Sequence, residues 1–292
     1  MTQWEGKSKG TLLGYKIFVY SIKKLGIRTA YIVLLFVAFY YFLFAWSSNR
    51  VMYNYFRKRQ NFSISRSIVG IYKNYYIFGQ TLLDKATISM GFRNWFTYDF
   101  DGIEILKSLI KEKKGGILIS AHVGNFEIAE YFLNDINTDI NIHLVTTDLE
   151  RDAIKNYMEQ IRVKSTIKFI VIQKDMSHIY QITDALSRND LICFTGDRFF
   201  EGNKTLEENL LGGLAQFPAG PFYIASRLHV PVAFVYVMKE PNLHYHLYTR
   251  KANFRHRDAQ QLLKEYCASV EGILKKYPYQ WFNYFDFWKS TR

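Results

Sequence analysis

Cysteine is nearly absent: the 292 residues contain two, Cys193 and Cys267. They lie far apart and in no C-x-x-C or metal-like spacing. That excludes a disulfide framework and fits a reducing, cytosolic face. Cys193 lies inside an apolar run, where buried packing is expected. H-E-x-x-H, G-x-S-x-G, the Walker loop and G-x-G-x-x-G are also missing, so metal hydrolase, serine hydrolase and nucleotide-binding readings lack their motifs. There is no internal repeat, low-complexity tract or Pro/Gly-rich linker. Acidic side chains are in the minority, 26 Asp and Glu against 38 Lys and Arg, for a net charge of +12. Such a surplus points to an anionic partner: nucleic acid, an acidic leaflet, or an acidic protein or cofactor.

Apolar and aromatic residues are plentiful. Hydrophobic side chains make up 49% of the chain, with 24 Phe and 22 Tyr. The length is enough for one large domain, or one domain with an appended helical segment, and the apolar content is enough to fill a core. Aromatic rings at this density suit a core, a lipid-facing surface or an interfacial belt.

Charge is wholly absent between Arg28 and Arg50. As a helix, residues 29–49 reach roughly 30 Å, about the hydrocarbon thickness of a bilayer. The segment starts too late, its apolar run is too long, and it shows no small-residue cleavage site of a signal peptide. Its Tyr and Trp content allows a spanning helix or one lying in the interface; a buried core helix is the alternative. Both flanks are basic, with Lys16, Lys23, Lys24 and Arg28 before it and Arg50, Arg57, Lys58 and Arg59 after it. The orientation rule is therefore ambiguous, and a helix dipping into the inner leaflet resolves it simply. Residues 1–60 are read as a basic, hydrophobic membrane-anchoring region and residues 61–292 as the following domain. Within residues 50–100, Ile68, Ile71, Tyr75, Phe78 and Leu82 recur at helical spacing. One or two amphipathic helices are expected there, packed on the domain and lining an acyl channel.

Beyond residue 102 strands and helices alternate. Strands are expected at 115–121, 140–146, 167–172, 190–195, 231–238 and 243–249. Helices are expected at 125–136, 149–163, 177–188, 219–229 and 257–276. The pattern argues an α/β sandwich with a mostly parallel central sheet, and the adjacent last two strands suggest an antiparallel edge.

The stretch SAHVGNFE, Ser120 to Glu127, follows the first of these strands and opens a helix. Ligands gather at the carboxyl ends of strands in such sheets. His122 stands at the strand exit, Gly124 allows a tight turn, Asn125 is an expected N-cap, and Glu127 falls in the first helical turn, where negative charge is favoured. The spacing could bring the Glu127 carboxylate against one imidazole nitrogen of His122, with the other nitrogen facing a cleft. That is the orienter and base of a triad, with the substrate supplying the nucleophile. Imidazole ionises close to neutral pH and can take the proton.

The H-x4-E arrangement resembles the H-x4-D/E motif of the glycerolipid (lysophospholipid) acyltransferase superfamily. HVGNFE is most similar to the lipid A biosynthesis lauroyl/myristoyl acyltransferase family. TGDRFFEGN (195–203), FPAGPFYIASRLHVPV (217–232) and YPYQWFNYFDFW (277–288) resemble later blocks of that family in order. The resemblance covers residues 20–288. It implies a glycerolipid-acyltransferase-like αβα sandwich preceded by an N-terminal hydrophobic membrane helix. The implied reaction is acyl transfer from acyl carrier protein (ACP), or CoA, to a hydroxyl or amine of a lipid acceptor at the cytoplasmic face of a bacterial inner membrane. The thioester is a co-substrate; no cofactor or metal is implied. One departure is the end of the last block, NYFDFWK, where the family usually carries arginines; the acceptor need not be a lipid A precursor.

Asp197 and Arg198 end another core strand and are expected to face the same cleft. Arg198 would bind an acceptor phosphate or the phosphopantetheine phosphate of the donor. The helix start at Phe217–Pro221, with Gly220, could offer free N–H groups to an anion. Lys174 and Lys204 flank strand ends and are candidate phosphate contacts. His244 and His246 share a strand face without a third metal ligand, and His143, His178 and His229 have no usable context. A nucleic-acid-binding protein is disfavoured by scattered basic residues and the absence of a recognised motif. A non-enzymatic membrane scaffold leaves the placement of His122 and Glu127 without a purpose.

Overall fold

A computed structural model describes residues 12–129, 131, 141–146, 167–173, 175–199 and 202–288. Four helices come first: α1 (Leu12–Leu25), α2 (Ile27–Phe44), α3 (Trp46–Asn54) and α4 (Ile64–Ser89), with a π-helical turn at Tyr55–Arg59 before α4. The uncharged segment expected as a single helix over 29–49 is therefore divided. Ala45, at φ −91° and ψ 57°, breaks it, and the Asn49 amide donates to the Phe42 carbonyl at 2.6 Å across the break. Among the described residues, α2 alone is long and apolar enough to cross a membrane.

Strand β1 (Thr97–Asp101) and helix α5 (Ile103–Lys111) lead into β2 (Gly116–Ser120). Strands β3 (Ile142–Thr146), β4 (Ile167–Val171) and β5 (Leu191–Thr195) follow, with α6 (Ser177–Ser187) before β5. Strands β6 (Thr205–Leu210) and β7 (Gly213–Pro218) form a separate hairpin, and α7 (Ala219–Arg227), β8 (Val232–Glu240), β9 (His244–Lys251) and α8 (Ala259–Lys276) complete the order. The expected helix at 149–163 lies outside the described residues, as does half of that at 125–136.

The main sheet has seven strands in the order β1-β9-β8-β2-β5-β3-β4. Every pairing in it is parallel except β8 with β9. Strand β2 is buried at all five positions, as expected of a parallel strand covered on both faces. Its side chains alternate between two cores. Ile117 and Ile119 join Phe222 of α7, Ile182 of α6 and Leu262 and Tyr266 of α8. Leu118 joins Leu106 and Leu109 of α5. Helices therefore cover both faces, and the sandwich expected from the sequence is present. The antiparallel pair is present too, but it is not the edge: β1 adds to β9 in parallel outside it. Neither β1 nor the β6–β7 hairpin was expected. The hairpin turns on Leu211 and Gly212, both at positive φ, the geometry of a two-residue type I′ turn. Cys193 and Cys267 are buried and unpaired with each other.

Helix α4 is continuous over Ile64–Ser89, capped by the Ser63 hydroxyl, which accepts from the Arg66 N–H. Ile71 and Tyr75 are buried as expected, whereas Ile68 and Leu82 are exposed.

Candidate active site

Strands β2 and β5 run parallel with Ser120 opposite Thr195. His122 stands two residues beyond Ser120 and Asp197 two beyond Thr195, so equal offsets from a matched register bring the two side by side at the carboxyl edge of the sheet. Gly196 N–H donates to the Ser120 carbonyl at 2.9 Å and extends the pairing past the strand ends. A Cβ at residue 196 would meet Tyr266, Ile119 and Phe222 at 3.0–3.1 Å. The Asp197 carboxylate accepts from His122 twice, from the backbone N–H at Oδ2 (2.9 Å) and opposite ring Nδ1 at Oδ1 (2.7 Å). The imidazole side chain is 26% exposed and that of Asp197 5%. This is a buried carboxylate gripping a partly exposed ring.

Burial raises the Asp197 carboxyl, but the charge of the His122 ring, its hydrogen bond and the Arg198 guanidinium together outweigh it, and the group sits below its ordinary value of 3.8. Arg198, which follows directly, is half-buried. Burial lowers its affinity for the proton against the pull of Asp197. Its Nη2 donates to the Phe282 carbonyl at 2.7 Å. Because the native carboxylate is the stronger acid, its contribution to stability is complete above pH 3.8 and is lost as pH falls through the lowered native value. Asp197→Asn is accordingly expected to flatten the acid limb of stability below pH 3.8, read by urea denaturation across pH.

The rest of the motif is committed to the scaffold. Gly124 has φ +60°, and a Cβ there would lie 2.1 Å from the Val237 carbonyl oxygen. Asn125 N–H donates to that same carbonyl at 2.7 Å, and Gly124 N–H donates to Gln280 O at 2.9 Å. Phe282 N–H donates back to His122 O at 3.0 Å. The aromatic C-terminal segment thus runs against the motif loop as an added backbone partner. Gly124→Ala is expected to cost about 1–3 kcal/mol through backbone strain alone, with the contact to Val237 adding to it; a lowered urea midpoint with unchanged m-value would register this.

Asn125, expected as an N-cap and substrate contact, makes no side-chain cap. Its amide instead donates to the Thr81 carbonyl of α4 at 2.9 Å and lies 3.5 Å from the Tyr245 hydroxyl. Glu127 lies in a single 3-10 turn, Phe126–Ile128; its side chain is outside the described residues, as is Lys174. Lys204 precedes β6 with an exposed side chain, and its carbonyl accepts from Ala219 N–H at 3.0 Å. Gly220 is exposed in the first turn of α7 with open space where a Cβ would stand. The residues brought together are therefore His122, Asp197 and Arg198, with Gly124 and Asn125 shaping the loop.

Behind Asn125 lies a buried polar cluster with no sequence motif to announce it. Asp84 of α4 accepts from Lys239 Nζ of β8 at 2.6 Å and from Tyr245 Oη of β9 at 2.5 Å, both at Oδ2. Tyr31 Oη of α2 donates to its other oxygen. Gln280 brackets Lys239, accepting from its backbone N–H at 2.9 Å and donating to its carbonyl at 2.7 Å.

The remaining histidines have structural partners. His143 Nε2 lies 2.8 Å from Asp190 at the amino ends of the strands, away from His122. His244 contacts Asp99, and His246 stacks on Tyr248. Among the described residues no group of three or more His, Cys, Asp or Glu could hold a metal ion.

Comparison with curated proteins finds no match. Residues 71–290 match the family described as bacterial lipid A biosynthesis acyltransferase. The matched stretch runs from α4 to the C-terminal aromatic segment and contains the His122 loop, Asp197 and the helix start at Pro218. It covers well over half of the chain, and the protein therefore belongs to the bacterial lipid A biosynthesis acyltransferase family.

Proposed function

We propose that this acyltransferase moves a fatty acyl group from an ACP thioester, or acyl-CoA, to a hydroxyl or amine of a lipid acceptor at the cytoplasmic face of the inner membrane. The observation that carries the reading is the His122–Asp197 contact at the sheet edge in a chain of this family.

With Asp197 ionised, Nδ1 carries the proton of their shared hydrogen bond and Nε2 carries the lone pair. The acceptor hydroxyl attacks the thioester carbonyl and passes its proton to Nε2. The tetrahedral oxyanion collapses, the C–S bond breaks, and the imidazolium returns the proton to the departing thiolate. Asp197 stabilises the imidazolium that forms between these steps. Glu127, one turn further on, is proposed as a second carboxylate of the site. Arg198 is proposed to support Asp197 and anchor the C-terminal segment through Phe282, with Lys174, Lys204 and the α7 start at Gly220 proposed for donor or acceptor phosphates. The basic surface favours an acidic carrier protein and anionic lipid.

The acceptor class is a lipid A precursor, a phospholipid or aminolipid, or a polyene pigment hydroxyl. Mass spectrometry of lipids from cells with and without the gene, paired with transfer from labelled acyl-ACP in vitro, tests the proposal. One lipid class is expected to lose a single ester- or amide-linked chain. An unchanged lipid profile together with no transfer from either thioester would overturn it.

A further inference from the structure

Helix α2 is uncharged after Arg28 and could cross a bilayer, yet its attachments argue otherwise. It lies antiparallel along α4, pair by pair. Ile27 shares a core with Ile88, Tyr31 reaches Asp84, Leu34 fills the space over Gly79, and Tyr41 packs on Tyr75. The other side of α4 is fixed to the catalytic domain over the same length. Asp84 binds Lys239 and Tyr245, Thr81 binds Asn125, Phe78 packs on Phe282, and Asn74 donates to the Trp281 carbonyl at 2.9 Å. Both ends of α2 are thus tied, through one helix, to one rigid body.

A spanning α2 would stand close to the bilayer normal over about 27 Å. The domain strapped beside it, from Lys239 to Tyr284 and including the His122 loop, would then occupy hydrocarbon depth. Its strand edges and loops have no place there. The face of α2 turned away from α4 is nevertheless strongly apolar: Phe36 is 72% exposed, Phe44 62% and Trp46, at the start of α3, 77%. Exposed Ile68 and Val69 of α4 add to the apolar surface. Patches of this kind mark an interaction surface. Exposed cations stand at both ends, Lys23 and Lys24 before α2 with Arg28 in its first turn, and Arg50 and Lys58 after it. A crossing helix would normally concentrate them at one end. An in-plane helix needs them at both, to meet an anionic headgroup layer.

We propose that α2 does not cross the membrane. It lies flat in one leaflet of an anionic bilayer, with its exposed face and that of α4 in the acyl region and the His122 loop held on the opposite side of α4. A lipid acceptor would then reach the site from the leaflet on which the protein rests.

Two measurements on the full chain in bacterial membranes test this, and neither depends on acyl transfer. Lys24→Cys and Arg50→Cys are exposed positions that flank α2, and wild type, with both native cysteines buried, is the control. A membrane-impermeant maleimide is expected to label both variants in inverted vesicles and neither in intact spheroplasts. Labelling from opposite sides would overturn the proposal. A bimane probe at Phe36→Cys, near the middle of α2, reads depth in phosphatidylethanolamine–phosphatidylglycerol vesicles. Bromines near the headgroup are expected to quench it more than bromines near the chain ends. Strongest quenching from the chain ends would mean a crossing helix. No quenching would mean a face covered by protein, such as a second copy. Either result overturns the assignment.

Discussion

His122→Ala is expected to lower acyl transfer by about 10²–10⁴-fold, the usual loss when a positioned base is removed. Asp197→Asn should lose as much, by a different route. The replacement has the same shape, and its oxygen can still accept from the His122 backbone N–H, now 2.9 Å from Oδ2. Its NH2 group, however, would face Nδ1, now 2.7 Å from Oδ1, and would donate rather than accept. The neutral ring would then carry its proton on Nε2, the nitrogen proposed to receive one from the acceptor. In serine proteases this tautomer error costs about 10⁴-fold with the fold intact, and a similar loss is expected here in kcat for labelled acyl-ACP. Glu127→Gln separates the two carboxylates: if Asp197 is the orienter, the Gln variant should keep more activity than Asp197→Asn. Normal turnover by the Asp197 variant would remove it from the mechanism.

The sequence carries the half of this dyad that is local. His122, Gly124 and the following turn are contiguous, and an apolar strand ending in a His–x–Gly loop announces a sheet-edge site by composition alone. The other half, Asp197, is 75 residues away; the sequence places it at the end of another core strand facing the same cleft, but its direct contact with His122 in the role expected of Glu127 follows only from sheet order. The clue lay in two strands with similar endings, GILISAH and LICFTGD, each with its chemical residue two positions past the strand. Reading them as adjacent requires the order β2-β5, which alternation of elements does not supply. Strands β2, β5 and β8 were legible because near-complete burial leaves continuous hydrophobic runs. Strand β1, TYDFD, and strand β6, TLEENL, were not, since edge and hairpin strands carry polar residues on an exposed face. The Gly-Gly pair after Leu211 was the available hairpin signal. The break at Ala45 has no proline or glycine to mark it. Asn125 shows the opposite failure: a favourable cap by local rules was drawn off by a carbonyl on α4, a tertiary partner that no local rule contains.

Removing one partner of the Asp84–Lys239 pair should produce the largest stability loss outside the hydrophobic core. Both side chains are almost wholly buried, 0% and 7% exposed, with Nζ 2.6 Å from Oδ2. Asp84→Ala strands an ammonium and two tyrosine hydroxyls, of Tyr31 and Tyr245, around an empty acceptor site. Breaking a buried ion pair from one side costs about 3–5 kcal/mol, and urea denaturation should show that loss. Because a buried pair is itself close to neutral against an apolar substitute of the same volume, the double change Asp84→Leu with Lys239→Met should recover much of it. The cluster joins α2, α4, β8 and β9 and touches Asn125 through Tyr245. If it also sets the geometry of the His122 loop, the recovered double variant will regain stability while its kcat stays depressed, with KM for the acyl donor changed less. A double variant restored in both respects would mean that the charges do no more than fill space, and that backbone contacts from Val237 and Gln280 alone hold the loop in register.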